Sequence, residues 1–190
     1  MEKYGEFSEK ADLILVTHSH TDHCDPAQIQ KARKPNTLVI APADCVSKIG
    51  GKVKTLKVGE ETRVGNIKVK AVEAYNIKRF RSPGTPFHPK GLGVGYLITA
   101  EGKTVYHAGD TDFIPEMQQL GNIDVALLPS GNKYTMDNAD AAEAALAFKP
   151  KAVIPIHRWS TNPAELKDKV ETKSKVKVVL LKEGEEYQVT

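Results

Sequence analysis

The sequence predicts a mixed α/β (α+β) chain in which two β-sheets pack face to face with helices on the outside, as one domain over 1-190. Three observations carry that expectation. The first part of the chain is rich in strand-like runs and poor in helices, whereas the second part alternates strand and helix. The run Leu13-Ile14-Leu15-Val16 reads as a short buried strand. That run stops abruptly at Thr17-His18-Ser19-His20-Thr21-Asp22-His23. Three imidazoles and a carboxylate at that density cannot continue into a core without leaving buried polar groups unpaired. They belong on an exposed loop at the strand's end, where they can converge on something.

Taken in order, the chain opens with a short polar segment over 1–10, followed by a strand from Asp12 to Val16. Pro26 suits a first helical turn and opens a helix to Arg33. Thr37 to Ala41 is a strand, and Ala43 to Ile49 a short helix stopped by Gly50-Gly51. Strand-like runs follow at Val53 to Val58, Glu61 to Val64 and Ile67 to Val72, with turns at Gly59 and Gly65-Asn66. Residues 74–91 form a long loop rich in Pro, Gly and basic residues, and loops of that length within compact domains are usually functional. Leu92 to Thr99 and Lys103 to His107 make a hairpin around Glu101-Gly102. Then come a short helix from Ile114 to Leu120, a strand from Ile123 to Leu128, and an Ala-rich helix from Ala139 to Phe148, capped by Asp137 or Asn138. Ala152 to Ile156 is a strand, Pro163 to Val170 a helix capped by Asn162, and Val176 to Leu181 a last strong strand with a weak one near Tyr187.

Composition narrows the class. With 40% apolar and 27% charged residues the chain has the balance of a soluble globular protein. Its 6% aromatic content predicts a core of Val, Ile, Leu and Ala. A net charge of +3 is too small to argue for nucleic acid without a clustered patch, so nucleic acid is disfavoured as a partner. No apolar run approaches the roughly 20 residues of a membrane helix, and the N-terminus has no signal-peptide pattern. Cys24 and Cys45 do not make a disulfide framework. The expected setting is cytoplasmic, with no membrane.

The chemistry sits in the His-rich loop. Half of the six histidines fall within residues 18–23, too many for a loop that is His-rich by accident. Imidazole nitrogens with a carboxylate oxygen suit a borderline cation such as zinc. The spacing His-x-His-x-Asp-His directly after an apolar strand resembles the signature of the metallo-β-lactamase superfamily. Three further polar residues stand at element ends: His88 before Gly93-Val94-Gly95-Tyr96, Asp110 in His107-Ala108-Gly109-Asp110-Thr111, and His157 closing Val153-Ile154-Pro155-Ile156. Together they match that superfamily's later motifs in order. The resemblance runs from about residue 11 to 160 and is closest to a family of small metal-dependent hydrolases, whose stretches Tyr106 to Phe113, Tyr134 to Asp137 and Ile154 to His157 look alike.

The resemblance implies the αββα sandwich, two divalent cations and a hydrolase. His18, His20 and His88 would hold the first metal, and Asp22, His23 and His157 the second, with Asp110 bridging. Zinc is the first expectation, with manganese and iron served by the same N/O donors. A hydroxide shared by the two metals would attack a small ester, lactone, thioester or phosphodiester, and Asp22 would orient it or pass on its proton. His107 reads as structural or supporting, Cys24 as a small buried thiol, and Thr17 and Thr111 as either ligand-orienting or turn-making. Glu is found where this chain has His20 in oxygen- and nitric-oxide-reducing relatives, and neither an inserted β-CASP domain nor a tRNA-binding arm is seen. The rival reading is a non-catalytic metal-binding or sensor protein that keeps the site.

Two further expectations follow. Superfamily members begin with several strands ahead of the His-rich motif, so the first sheet is expected to lack N-terminal edge strands and the chain to self-associate as a homo-oligomer through that edge. The loop cations Lys78, Arg79, Arg81 and Lys90, with Lys133, Tyr134, Arg158 and Trp159, predict a basic rim. Of these, Arg79, Arg81, Lys90, Tyr134 and Arg158 are the candidate contacts to a small anionic substrate.

Overall fold

The computed structural model describes residues 9–189. Strand β1 (Ala11–Leu15) pairs in parallel with β2 (Arg33–Ala41), and β2 with β3 (Val53–Thr55), giving a three-stranded sheet. Between β1 and β2 lies helix α1 (Pro26–Ala32), with Pro26 in its first turn and the Asp25 carboxylate accepting from the Ala27 and Gln28 amides. After β2 a 3-10 turn (Ala43–Cys45) runs into α2 (Val46–Ile49), which ends at Gly50 with φ +65°. The second sheet has seven strands in the order β12-β11-β10-β9-β8-β5-β4. Its antiparallel half is β4 (Glu61–Val64), β5 (Ile67–Ala74), β8 (Gly93–Ala100) and β9 (Lys103–His107). Its parallel half adds β10 (Val125–Pro129), β11 (Ala152–Ile156) and β12 (Lys177–Val178). Helices α3 (Asn138–Phe148) and α4 (Pro163–Glu171) alternate with those parallel strands and supply the crossover connections that parallel pairing needs.

Three apolar layers show that the arrangement is the expected αββα sandwich. Leu13, Leu15, Leu38 and Ile40 face Val69, Ala71, Val94 and Tyr96 between the sheets. Ile14, Val16, Val39 and Ala41 face the other way, against Ile29, Cys45 and Ile49 beside α1 and α2. Tyr106, Ala126, Leu128 and Val153 lie beneath Ala141, Ala145 and Leu166 of α3 and α4. The run Leu13 to Val16 lacks polar alternation because both faces of β1 are covered. Cys24 and Cys45 are buried thiols in the layer beside α1 and α2. Among the described residues no helix is long and apolar enough to cross a membrane.

Some expected elements differ. The loop over 74–91 contains a small hairpin, β6 (Phe80–Ser82) with β7 (Thr85–Pro86). The segment expected as a helix from Ile114 to Leu120 is a 3-10 helix, Pro115–Gln119. The last strand is two residues long rather than six, and no strand forms near Tyr187. On the outer side of β12, Glu171 accepts from the Val178 amide (2.8 Å) and the Lys167 ammonium donates to the Val178 carbonyl (3.0 Å). Side chains of α4 thus take the outer backbone groups that a further strand would use, which blunts the edge.

The basic loop is tied down by Arg79. Its guanidinium is paired with Asp112 (3.2 Å), Asp137 (3.2 Å) and Asp140, and Asp112 also accepts from the amides of Ile77, Lys78 and Arg79. Asp112 has no exposed surface and Arg79 little. Burial pushes the Asp140 carboxyl up, but hydrogen bonds from Lys78 and Arg79 outweigh it and hold the group below its usual range. Removing one partner of such a buried cluster strands the others, so Arg79→Met should cost about 3–5 kcal/mol, seen as a lower urea midpoint at unchanged slope. Because Asp140's folded pKa is depressed, its contribution is fully present above the unfolded carboxylate value of about 3.9 and is lost as pH falls through the folded value. Asp140→Asn should therefore be less stable at neutral pH and show a shallower acid limb.

Candidate metal centre

Every sequence-predicted metal ligand lies at one end of the sandwich. His18, His20, Asp22 and His23 occupy the loop between β1 and α1, where the amides of His23 and Cys24 both donate to the His20 carbonyl (3.0 and 2.8 Å) and coil the loop into a tight turn. The two sheets are joined here: the Val94 amide donates to the Thr17 carbonyl (2.8 Å), and the Tyr96 hydroxyl to the Val16 carbonyl (2.8 Å). His88 precedes β8, Asp110 follows β9, and His157 follows β11 with φ +46°, a left-handed conformation uncommon outside glycine. Gly109 has φ +67°, and a Cβ there would lie 2.9 Å from the Val94 carbonyl, so glycine alone lets the chain turn and deliver Asp110.

One oxygen sits at the middle of the cluster. Asp110 Oδ2 lies 3.3 Å from His88 Nε2, 3.4 Å from His157 Nε2, 3.5 Å from His23 Nε2 and 3.9 Å from His18 Nε2. Asp22 Oδ2 lies 3.4 Å from His23 Nε2 and 4.0 Å from His157 Nε2. Ligand-type atoms fall into three groups, each within 4.8 Å: His18, His20 and His88; Asp22, His23 and His157; and His18, His23 and Asp110. The first two are the triads implied by the resemblance, and the third takes one residue from each and adds the shared carboxylate.

Burial sets the electrostatics. It lowers His18 to about 2 and His88 to about 3, with neighbouring imidazoles adding to the effect, and it lowers His20 as well. These rings are neutral donors of a lone pair at any physiological pH. Burial raises Asp110, whereas the His23 hydrogen bond holds the Asp22 carboxyl well below the carboxylate range. The buried Nε2 atoms of His18 and His157 have no hydrogen-bond partner, a cost that proteins normally avoid. Inward-facing imidazoles without partners, closed around carboxylates, fit divalent cations bound through N and O.

Supporting contacts differ from ring to ring. Asn76 Oδ1 accepts from both the His88 amide (2.8 Å) and Nδ1 (2.9 Å), which leaves Nε2 with its lone pair facing inward. The Thr17 hydroxyl lies 3.0 Å from His18 Nδ1, whereas Thr111 is engaged with the Tyr75 backbone. His107 Nδ1 accepts from the Gly109 amide (3.1 Å), shaping the turn that carries Asp110 rather than joining the cluster. At His157 the arrangement is reversed: the Trp159 indole N–H donates to Nδ1 (2.9 Å), so Nε2 becomes a metal donor only if the indole releases it. Trp159 lies over Gly131, where any Cβ would collide with the indole and with the His157 carbonyl.

The cluster forms the floor of a cavity of about 560 Å³, walled by Phe87, Tyr134 and Trp159, with Lys48 and Arg81 at its rim. Of the expected substrate contacts, Arg81 and Tyr134 line it. Arg79, Lys90 and Arg158 do not: Arg79 is consumed by three aspartates, Lys90 pairs with Glu73 and Glu116 (3.3 and 2.9 Å), and Arg158 lies outside the lining. Sequence reasoning missed Lys48 and Asn76, for which nothing in the sequence is a signal. Trp159, expected at the rim, does line the cavity, whereas Phe87 stands in the sequence only as the neighbour of His88.

A model of the beta-lactamase superfamily domain matches residues 1–157. The chain is 35% identical over 191 residues to a UPF0173 metal-dependent hydrolase of Pelotomaculum thermopropionicum, covering 95% of this chain and 83% of that one. It is 40% identical over 165 residues to another from Geobacillus sp., covering 84% and 72%. A crystal structure from Parabacteroides distasonis, described as a metal-dependent hydrolase, superposes with a TM-score of 0.84 at 41% identity over 90% of this chain and 76% of that one.

Asn76 gives a test of the supporting contacts. Asn76→Ala should weaken metal affinity about 10–100-fold, measured by competition with a chromophoric chelator, and Asn76→Asp should recover most of it, since a carboxylate oxygen can accept the same two N–H groups.

Proposed function

This chain belongs to the metallo-β-lactamase superfamily as a metal-dependent hydrolase, and on that footing we propose that it hydrolyses a small ester, lactone, thioester or phosphodiester at a dinuclear centre. The observation that carries the reading is the Asp110 oxygen placed within 3.3–3.9 Å of four imidazole nitrogens drawn from both triads. His18, His20 and His88 would hold one cation and Asp22, His23 and His157 the other, with Asp110 shared. A carboxylate suits that position because it has two oxygens and a charge that offsets two dications. Zinc is the leading candidate, and manganese or iron would suit the same donors. Bound there, two dications would lower the pKa of a shared water from about 15.7 to about 7 and polarise the carbonyl or phosphoryl oxygen under attack.

The chain's own residues supply the rest. Asp22 lines the cavity and stays ionised, since the His23 hydrogen bond holds its pKa down. It is therefore a better acceptor for orienting the attacking O–H than a base that keeps the proton. Phe87, Tyr134 and Trp159 wall the cavity and keep bulk water from one side of it. Among the described residues no Ser or Cys lines the cavity beyond Ser19, and the proposed mechanism needs none.

Elemental analysis of metal-loaded protein should give about two metals per chain, and a stoichiometry that never exceeds one would refute the dinuclear version. Asp110→Ala should lower occupancy of both sites, His88→Ala mainly one. Loading should also shift the emission of Trp159, the chain's single tryptophan, because His157 ligation requires its indole to release Nδ1. Turnover of an ester and phosphodiester panel should vanish with chelator. Full metal binding without turnover of any of them would instead favour a sensor.

A further inference from the structure

We infer that the site selects substrates carrying an anion on an aromatic body, read by Arg81 and Lys48 together with Phe87, Tyr134 and Trp159. The inference rests on the hydrolase reading for what the substrate undergoes, but not for what it binds. Its starting point is which cations are already used. In the loop over 74–91, Lys78 is paired with Asp140 (2.6 Å), Arg79 with three aspartates, and Lys90 with two glutamates. Arg81 is different: it lines the cavity, with its guanidinium carbon over the Phe87 ring, 5.8 Å from the centroid. A guanidinium held over a ring keeps its N–H donors for an anion. The hairpin that carries Arg81 is anchored through Arg79 at its base, so the free guanidinium is held on a fixed support.

Lys48 lines the same cavity from a different part of the chain. It lies on α2, and its ammonium donates one hydrogen bond to the Ser19 carbonyl (2.7 Å) within the His-rich loop. That bond holds the charge at the rim and leaves two N–H donors over. Among the described residues, the carboxylates in the lining are Asp22 and Asp110, both within the metal cluster. Among these residues the rim therefore has two cations, one from α2 and one from the β6–β7 hairpin, and no anion of its own.

The aromatic wall sets the second half of the specificity. Phe87 and Tyr134 meet edge to face at 4.8 Å, and Tyr134 and Trp159 lie tilted by 57° at 5.8 Å. Trp159 is 52% exposed although it is the largest apolar side chain in the protein. Three contiguous rings at steep angles beside a polar floor make an angular apolar wall that presents both ring faces and ring edges to an aromatic group. A substrate with its anion at the rim and its body on this wall would place its scissile bond over the floor.

The test uses the metal-loaded full chain and a matched pair, 4-acetoxybenzoate and phenyl acetate, each rate divided by its uncatalysed hydrolysis. At low salt kcat/KM should favour the anion by about tenfold or more, the scale of one charge-assisted hydrogen bond. The preference should shrink as salt rises and screening sets in. Arg81→Gln and Lys48→Gln should each lower the ratio chiefly through KM of the anion, and the double variant should bring it near one. Lys169→Gln, exposed on α4, removes the same charge far from the rim and should leave the ratio intact. A second readout compares quenching of Trp159 emission by 4-hydroxybenzoate and 4-hydroxybenzamide. If neither ester turns over but the benzoate binds more tightly and Arg81→Gln abolishes the difference, the hydrolase reading fails on these esters while the selectivity stands. Equal kcat/KM for both esters, equal quenching by both ligands, or a ratio that Arg81→Gln does not change would overturn it.

Discussion

Buried imidazoles facing a buried carboxylate are the constraint on which the rest of this structure depends. Water is excluded from His18 and His88 almost completely, yet their Nε2 atoms lie 3.9 and 3.3 Å from the Asp110 carboxylate and neither faces a protein donor. Such a cluster is expensive to build. It is tolerable only where strand ends, glycine turns and fixed backbone contacts leave the side chains no alternative, and where a cation can repay the desolvation. The sandwich provides this by ending β1, β9 and β11 at one level and by tying the His-rich loop to β8 through the Thr17 carbonyl and the Tyr96 hydroxyl.

Around that floor the loops divide their charges. Carboxylates at 112, 137 and 140 neutralise Arg79, and those at 73 and 116 neutralise Lys90, so most of a basic segment becomes scaffold. The same logic applies to Asn76, whose single oxygen takes two N–H groups of His88 while its amide donates to the Tyr134 carbonyl (3.0 Å). One side chain thereby couples a ring of the floor to a ring of the wall.

The chemistry of the floor was legible in the sequence because it violates local expectation: polar side chains stop apolar strands at His18, Asp110 and His157, and few stable folds explain that except a site. The layers were legible for the same reason, since Leu13 to Val16 shows no polar alternation. What could not be read depends on pairs far apart in the chain. Lys48 gains meaning only beside Ser19, and Arg79 loses its availability to Asp112, Asp137 and Asp140, none of which has any marker in the sequence. The outer edge of β12 belongs to this class too, because side chains of α4 bond to it and the apolar run Val176 to Leu181 gives no hint of them.

Gly131 brings one more consequence. It owes its place to bulk rather than to backbone freedom, because the Trp159 indole occupies the space where its Cβ would be. The width of the aromatic slot is thus recorded 28 positions upstream of the ring that forms it, by a missing methyl group. Along a lineage, a change to alanine there would press on the indole and on the His157 carbonyl together, reshaping the mouth and shifting the backbone that carries a candidate ligand. Position 131 accordingly ties the shape of the substrate mouth to the seat of His157, so that the two can drift only together.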